Sequence, residues 1–346
     1  MLDDLQMIHE RDASDALGIA EKQPEQYLHD FHFAWEPPKY IRNVVLAGMG
    51  GSALAAKAFK QMPGLAVPFE IVQDYELPGI VTAETLCIAS SYSGNTEETV
   101  TALEAMLAMP EDRKPMIIVI ACGGKLGDVA HENNLPFIEL PGGFQPRHTF
   151  GYQYRALAEV FQSAHLHDNF VQYLEEIARK LPGHIAKWVP TVHTGDNQAK
   201  QIALDCLGKS IVVYSGPKLA AAAYKWKISF NENAKAVAWW NSYPEFNHNE
   251  LLGWTKQPEQ KPYTVIDLRS SFEHPQVQKR FEVSARLLSG LRPEPIVVNS
   301  EGDSLLEQLL STIAYGDFVS IYLALLGGLN PTPVELIEKF KHELVS

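Results

Sequence analysis

What most limits the fold of this chain is a regular alternation of short apolar, β-branched runs with segments of helical spacing, arranged in two blocks. In the first block NVVLAG (43–48), PFEIVQ (68–73), TLCIASS (85–91), MIIVIA (116–121) and FIEL (137–140) read as strands. Helices are expected over 52–61 and 96–107, with LGDVAHEN (126–133) between the last two strands. A strand covered on both faces loses the inside–outside alternation and becomes a continuous apolar run, as seen in parallel sheets sandwiched by helices. From Tyr152 to about Cys206 the pattern is helical, broken near Pro182-Gly183 and Pro190. Alternation then resumes with strands SIVVYSG (210–216), AKAVAWW (234–240), YTVIDL (263–268) and PIVVNS (295–300). Helices are expected at 217–230, 276–288 and 304–326, with a last one within 332–344 that starts near Pro333, a residue suited to a first helical turn. The expected class is therefore α/β, with two doubly wound parallel-sheet domains. The expected divisions are a helical lead-in over 1–40 ended by Pro37-Pro38, a first domain over 41–160, a helical connection over 161–205, and a second domain with a C-terminal helix over 206–346. A length of 346 residues suits two domains at roughly 100–200 residues each.

Composition narrows the function classes. With 46% hydrophobic and 21% charged residues the chain has ample material for a core, which excludes disorder as the main state. The formal charge of −13 argues against nucleic-acid binding, which leaves a basic footprint. The 3 cysteines, Cys87, Cys122 and Cys206, are far apart and form no CxxC pair, so neither a disulfide framework nor a zinc-finger spacing is present. The N-terminus MLDDLQMIHERDAS is acidic and lacks the pattern of a signal peptide. The strongly apolar tract 319–329 is too short to span a bilayer and contains two glycines. A soluble, cytoplasmic protein without a membrane partner is expected.

Two loops carry chemistry. Gly48-Met49-Gly50-Gly51-Ser52 lies between a strand and a helix start, where glycines allow a tight turn and the helix end offers free N–H groups to an anion. The same residues admit two other readings. Gly48, Gly50 and Ala53 satisfy G-x-G-x-x-A with Asp74 after the next strand, as in a dinucleotide fold, and a plain strand–helix turn also uses glycine for packing. The second loop, Ser90-Ser91-Tyr92-Ser93-Gly94-Asn95-Thr96, favours the anion. Its hydroxyls at 91, 93 and 96 cluster at another helix start, whereas a simple N-cap needs one. No lysine follows as in a P-loop, so a nucleoside triphosphate with magnesium is not favoured.

G-x-G-G-S after the first strand and S-x-S-G-N-T-x-E after the third resemble the phosphomonoester site of the sugar isomerase (SIS) fold. Pro146-Arg147, Asn231-Glu232-Asn233, His248-Asn249-Glu250 and Phe340-Lys341 resemble the bifunctional phosphoglucose/phosphomannose isomerases in particular, in the expected order over roughly 40–345. The resemblance implies a phosphate cradle of Gly51, Ser52, Ser91, Ser93 and Thr96. It implies isomerisation of glucose 6-phosphate, and of mannose 6-phosphate, to fructose 6-phosphate through an enediol, with no metal and no other cofactor. Glu232 matches the family's base for moving a proton between C2 and C1. Arg147 supplies a permanent positive charge for the enediolate. His248 matches the group that shuttles the ring-opening proton, and Lys341 is a possible ring-oxygen partner, with Lys339 two residues away as its competitor. A homodimer is also implied, with the active site at the subunit interface and the histidine coming from the neighbouring copy.

Two departures stand out. His148-Thr149-Phe150 is bulkier after the arginine than expected, which bears on pocket size and so on epimer preference. Glu97-Glu98 also stands where one acid is common. His165-Leu166-His167-Asp168 reads as a solvated turn rather than a metal cluster. Trp226, Trp239 and Trp240 read as core or interface, 318–329 as a buried helix, and Lys225-Trp226-Lys227 is too isolated for nucleic acid. Three rivals remain: a non-catalytic sugar-phosphate sensor on the same fold, a nicotinamide enzyme using 48–53, and an aminosugar-phosphate isomerase, for which no amidotransferase domain is seen.

Overall fold

The computed structural model describes residues 1–256 and 262–344. Within it the chain separates into two units, one of Lys22–Lys180 and one of Met1–Glu21 with Leu181–Ser346. The expected lead-in thus divides. Helices α1 (Leu5–Arg11) and α2 (Ala16–Glu21) go with the C-terminal unit, α3 (Gln23–Tyr27) goes with the first, and 28–42 carries no helix.

The first unit is built on strands β1 (Asn43–Ala47), β2 (Phe69–Val72), β3 (Thr85–Ser90), β4 (Met116–Ala121) and β5 (Phe137–Glu139). They form one parallel sheet in the order β2-β1-β3-β4-β5. Its helices are α4 (Gly50–Lys60), α5 (Glu97–Leu107), α6 (Gly124–Glu132), α7 (Phe150–Ser163) and α8 (Phe170–Ala178). Val45, Cys87, Ala89 and Val119 pack against Leu103 and Met106 of α5 and Leu126 of α6. The opposite face meets α4 and α7, where the Phe59 and Phe69 rings lie tilted against Phe161 at 4.6 and 5.2 Å between ring centroids. Cover on both faces explains why β1, β3 and β4 are buried at every position and read as unbroken apolar runs. The strand order is flavodoxin-like and not that of the dinucleotide fold weighed for 48–53, and it places the topological switch point between β1 and β3. Asp74 uses its carboxylate locally, accepting from the Tyr75 N–H at 2.7 Å.

The second unit contains α9 (Leu181–Ile185), α10 (Gln198–Cys206), β6 (Ser210–Ser215), α11 (Ala220–Glu232), β7 (Ala238–Ser242), α12 (Glu250–Gly253), β8 (Tyr263–Arg269), α13 (Pro275–Leu287), β9 (Ile296–Asn299), α14 (Leu305–Leu326) and α15 (Glu335–Leu344). Its parallel sheet runs β7-β6-β8-β9, with a switch point between β6 and β8. Successive strand side chains point to opposite faces. Trp240 leans on Tyr224 of α11 on one face, whereas Val212, Tyr214 and Val265 pack with Phe246, Trp254 and Phe281 on the other. The segment 243–256 and α13 therefore cover the face away from α11.

β7 begins four residues later than the run 234–240 suggests, because α11 extends to Glu232 and the chain then turns through Lys235 at φ 52. Among the described residues α14 is the one helix long and apolar enough to cross a membrane, and it is almost wholly buried. Lys225 is buried in an ion pair with Asp317 of α14, so of the two lysines at 225–227 only Lys227 reaches the surface. Trp226 is buried, Trp239 exposed.

Candidate functional site

In the first unit the two loops singled out by sequence meet at the carboxyl edge of the sheet, on either side of the switch point. Register brings Ala47 opposite Ala89, so the loops that follow leave the sheet side by side. Their approach is close enough that a methyl group on Gly48 would sit 2.7 Å from the Ser90 carbonyl oxygen, a contact only glycine permits. Ser52 is buried in the first turn of α4, and the Ser91 and Thr96 hydroxyls share a hydrogen bond of 2.7 Å. Ser93 accepts from the Asn95 N–H at 3.3 Å. Thr96 is the N-cap of α5 yet makes no capping bond with its side chain. The cradle thus presents hydroxyls and two helix amino ends, whose unpaired N–H groups carry partial positive charge suited to an anion.

A third loop, which sequence reasoning passed over, locks this cradle. Gly94 has φ +70, and a Cβ there would collide with the Gly123 carbonyl oxygen at 1.8 Å. The Lys125 N–H donates to Asn95 Oδ1 at 2.9 Å, the Leu126 N–H to the Gly94 carbonyl at 2.9 Å, and the Cys122 N–H to the Tyr92 carbonyl at 2.9 Å. The signal was present: Gly123-Gly124 between an apolar strand and a helix repeats the logic of Gly50-Gly51. Burial pushes the Cys122 thiol and the Tyr92 phenol above their usual ranges, so both stay protonated at neutral pH.

Arg147 lies in a single 3-10 turn, Pro146–His148, ahead of α7, with only 3% of its surface exposed. Its loop reaches the cradle, since a Cβ on Gly51 would lie 3.2 Å from the Pro146 carbonyl oxygen. Tyr92 of the hydroxyl loop and Gln26, outside the motifs, hold it. Tyr92 donates to the Pro141 carbonyl at 2.9 Å and accepts from the Phe144 N–H at 3.1 Å. Gln26 of α3 donates to the His148 carbonyl at 2.8 Å and accepts from the Gly151 N–H at 3.1 Å. The bulky residues after the arginine are buried, and Phe150 stacks on Tyr154 with 5.6 Å between centroids. Their size thus serves the core of this unit.

The remaining expected residues belong to the second unit. Glu232 is the last residue of α11, half-buried, where a helix end of partial negative charge gives a carboxylate no help. Its neighbours are fixed: Asn231 donates to the Ala236 carbonyl at 2.8 Å and Asn233 to Ser320 Oγ at 2.9 Å. The Lys235 ammonium donates to the carbonyls of Asn233, Asn330 and Pro331. His248 ends a 3-10 turn, Glu245–His248, and is exposed. It follows Phe246, which packs on the face of the sheet away from α11, the helix that Glu232 ends. Lys341 is on α15, a helix with no buried residue, and pairs with Glu338 at 3.1 Å; Lys339 pairs with Glu343 at 3.9 Å. No hydrogen bond or ion pair among the described residues joins Lys341 to Glu232 or His248.

The same unit closes its own switch point with Glu273. The Lys218 N–H donates to Glu273 Oε1 at 2.7 Å, and a Cβ on Gly216 would sit 2.3 Å from that carboxylate. A cleft of about 560 Å³ in this unit, lined in part by His184, Trp188, Asn299 and Tyr315, contains none of the expected residues. Among the described residues no group of three or more histidine, cysteine or carboxylate side chains is arranged to hold a metal, and His165 and His167 turn to Glu36 and the Pro63 carbonyl.

Residues 195–344 match the family described as bacterial phospho-glucose isomerase C-terminal SIS domain. The chain is 33% identical over 309 residues to a bifunctional phosphoglucose/phosphomannose isomerase of Caldicellulosiruptor bescii, covering 88% of this chain and 90% of that protein. It is 31% identical over 311 residues to the enzyme of the same name from Aquifex aeolicus, again covering 88% and 90%. Its fold is also that of tagatose-6-phosphate ketose/aldose isomerase from Escherichia coli, with a TM-score of 0.63 at 17% identity over 96% of this chain and 94% of that one. At this identity and coverage, the chain belongs to the bifunctional phosphoglucose/phosphomannose isomerase family.

Proposed function

We propose that the protein interconverts glucose 6-phosphate and mannose 6-phosphate with fructose 6-phosphate, as a cytoplasmic homodimer that uses neither metal nor cofactor. The observation that carries this reading is the pairing of the Ser91 and Thr96 hydroxyls beside the glycine loop of β1, at the switch point where α/β sheets bind ligands. There the phosphate accepts hydrogen bonds from Ser52, Ser91, Ser93 and Thr96 and from the backbone at Gly51. Once the sugar ring has opened, Glu232 takes the C2 proton of the aldose. The electron pair left behind forms the C1–C2 double bond as the aldehyde oxygen gains a proton. Return of the proton from Glu232 to C1, with loss of the O2 proton, gives the ketose. The Arg147 guanidinium offsets the negative charge that builds on O1 and O2. His248 transfers the proton between the ring oxygen and the C1 hydroxyl during opening, with Lys341 beside that oxygen. That Glu232 ends α11 while His248 belongs to the segment packed on the opposite face of the sheet supports a site that takes its histidine from a second copy.

The test is a coupled assay offering glucose 6-phosphate and mannose 6-phosphate separately, with and without EDTA. Formation of fructose 6-phosphate from both, unchanged by chelation, is the expected result. Binding of either sugar phosphate without turnover would point to a sensor instead, and loss of activity on chelation to a different isomerase class.

A further inference from the structure

His248 sits between two pins that the proposed reaction leaves unused. On one side Asn247 donates to Ser284 Oγ at 2.8 Å and accepts from Arg280 Nη1 at 3.1 Å, both on α13. On the other side Glu250 opens α12, and its two carboxylate oxygens reach different strands. One accepts from the Tyr214 hydroxyl of β6, the other from Asn241 Nδ2 of β7 at 2.6 Å. Trp254 Nε1 donates to the same tyrosine oxygen at 3.0 Å. The direction of this chain is fixed by chemistry, because an indole N–H can only donate. The tyrosine oxygen therefore receives that hydrogen bond and passes its own hydrogen to the carboxylate. Burial and the adjoining carboxylate both raise the Tyr214 phenol far above its usual range, which keeps that hydrogen in place.

The imidazole of His248 has no hydrogen bond of its own among the described residues. A histidine that moves protons is ordinarily aimed by a bond to its second nitrogen. Here the aim has to come from the backbone on either side. We infer that Glu250, clamped between Tyr214 and Asn241, is the positioning residue that sets the reach of His248 two positions upstream. This rests on the role assigned to His248 in the proposed reaction. A charged acceptor with two donors on neighbouring strands is stiffer than a neutral turn, since charge-assisted bonds are roughly twice as strong as neutral ones.

The test is steady-state kinetics on glucose 6-phosphate for H248A, E250Q, Y214F and the H248A/E250Q double variant, with circular dichroism to establish folding. H248A should lower kcat by about 100-fold or more, as loss of a placed acid–base group does. E250Q should lower kcat about tenfold with KM nearly unchanged, because a small misplacement of a reacting group acts on the chemical step. Y214F, which keeps the ring and loses one bond, should lower it about threefold. The double variant should be no slower than H248A, since a residue that acts only through another adds nothing once that other is gone. Parental rates in E250Q and Y214F, or an E250Q effect of the same size with and without His248, overturn the inference while leaving the reaction standing. A fully active H248A overturns the histidine assignment and this inference together. Should E250Q not fold, Y214F and its combination with H248A decide the matter by the same criteria.

Discussion

In the first unit the loop after β1 meets the loop after β3 with Gly48 pressed on the Ser90 carbonyl and the Ser91 and Thr96 hydroxyls facing the helix starts. In the second unit the corresponding loops follow β6 and β8, and Gly216 there is pressed on the carboxylate of Glu273. Both junctions carry a glycine where strand order reverses, the first because a backbone carbonyl comes close and the second because a side-chain carboxylate does. They differ in what satisfies the free N–H groups. The first leaves them to hydroxyl-lined space, whereas the second fills the position with its own anion, only 5% exposed and bonded to the Lys218 N–H. On the proposed reading, one architecture supplies a place for an external anion and, elsewhere, an internal stand-in for one. The proposed reaction divides its roles accordingly, with phosphate assigned to residues of the first unit and proton transfer to residues of the second.

The largest test of that division is Glu232→Gln. Turnover should fall about 10²–10⁴-fold while fructose 6-phosphate still raises the thermal midpoint of the variant, because the phosphate is held elsewhere. Loss of binding together with turnover would merge the two roles and break the comparison. Next in size, Ser91→Ala combined with Thr96→Val should act on KM. Hydrogen bonds to a charged partner contribute about 1.5–3 kcal/mol, so the weakening should be at least about tenfold, with a smaller change in kcat. An unchanged KM would mean that the first unit's junction is no more a ligand site than the second's.

The smallest effect concerns Glu273. Burial raises its carboxyl above the ordinary value of 4.5 in spite of the bond from Lys218, so the folded protein binds this proton more tightly than the unfolded chain does. Stability contributed by the protonated group is therefore complete below that ordinary value and is lost as pH rises through the higher folded one. Glu273→Gln removes this loss, and chemical denaturation should show the variant gaining on the parent as pH is raised from about 4.5 towards neutrality. A constant difference across that range would show that the stand-in carries no ionisation cost.

Most of the architecture was legible because a sheet covered on both faces writes itself as unbroken apolar runs, and MIIVIA and YTVIDL lie where their composition puts them. The failure at 234–240 is instructive. Ala234 to Val237 look like the start of a strand, yet the Ala236 N–H bonds back to Phe230 and Lys235 takes a left-handed turn, so those residues close α11 instead. Of the candidate site, the hydroxyl loops were legible because several polar residues and a glycine recur within seven positions. Gln26 was not, since it acts on a loop more than a hundred residues away through its side-chain amide. Glu273 and Glu250 were equally silent, because a carboxylate that answers a backbone N–H or a tyrosine in another element leaves no local spacing to read. Lys341 shows the converse: a matched motif fixed its type, and the structure pairs it with Glu338 on an exposed helix.

The placement of Glu232 and His248 in segments on opposite faces of one sheet has a genetic consequence. On the proposed reaction each copy lends its imidazole to a neighbour and keeps its carboxylate for itself. A dimer formed from one copy defective in the carboxylate and another defective in the imidazole still holds one complete set, contributed crosswise. Two silent alleles of such an enzyme can restore one another, whereas two lesions in the same copy cannot be rescued by a partner that shares them.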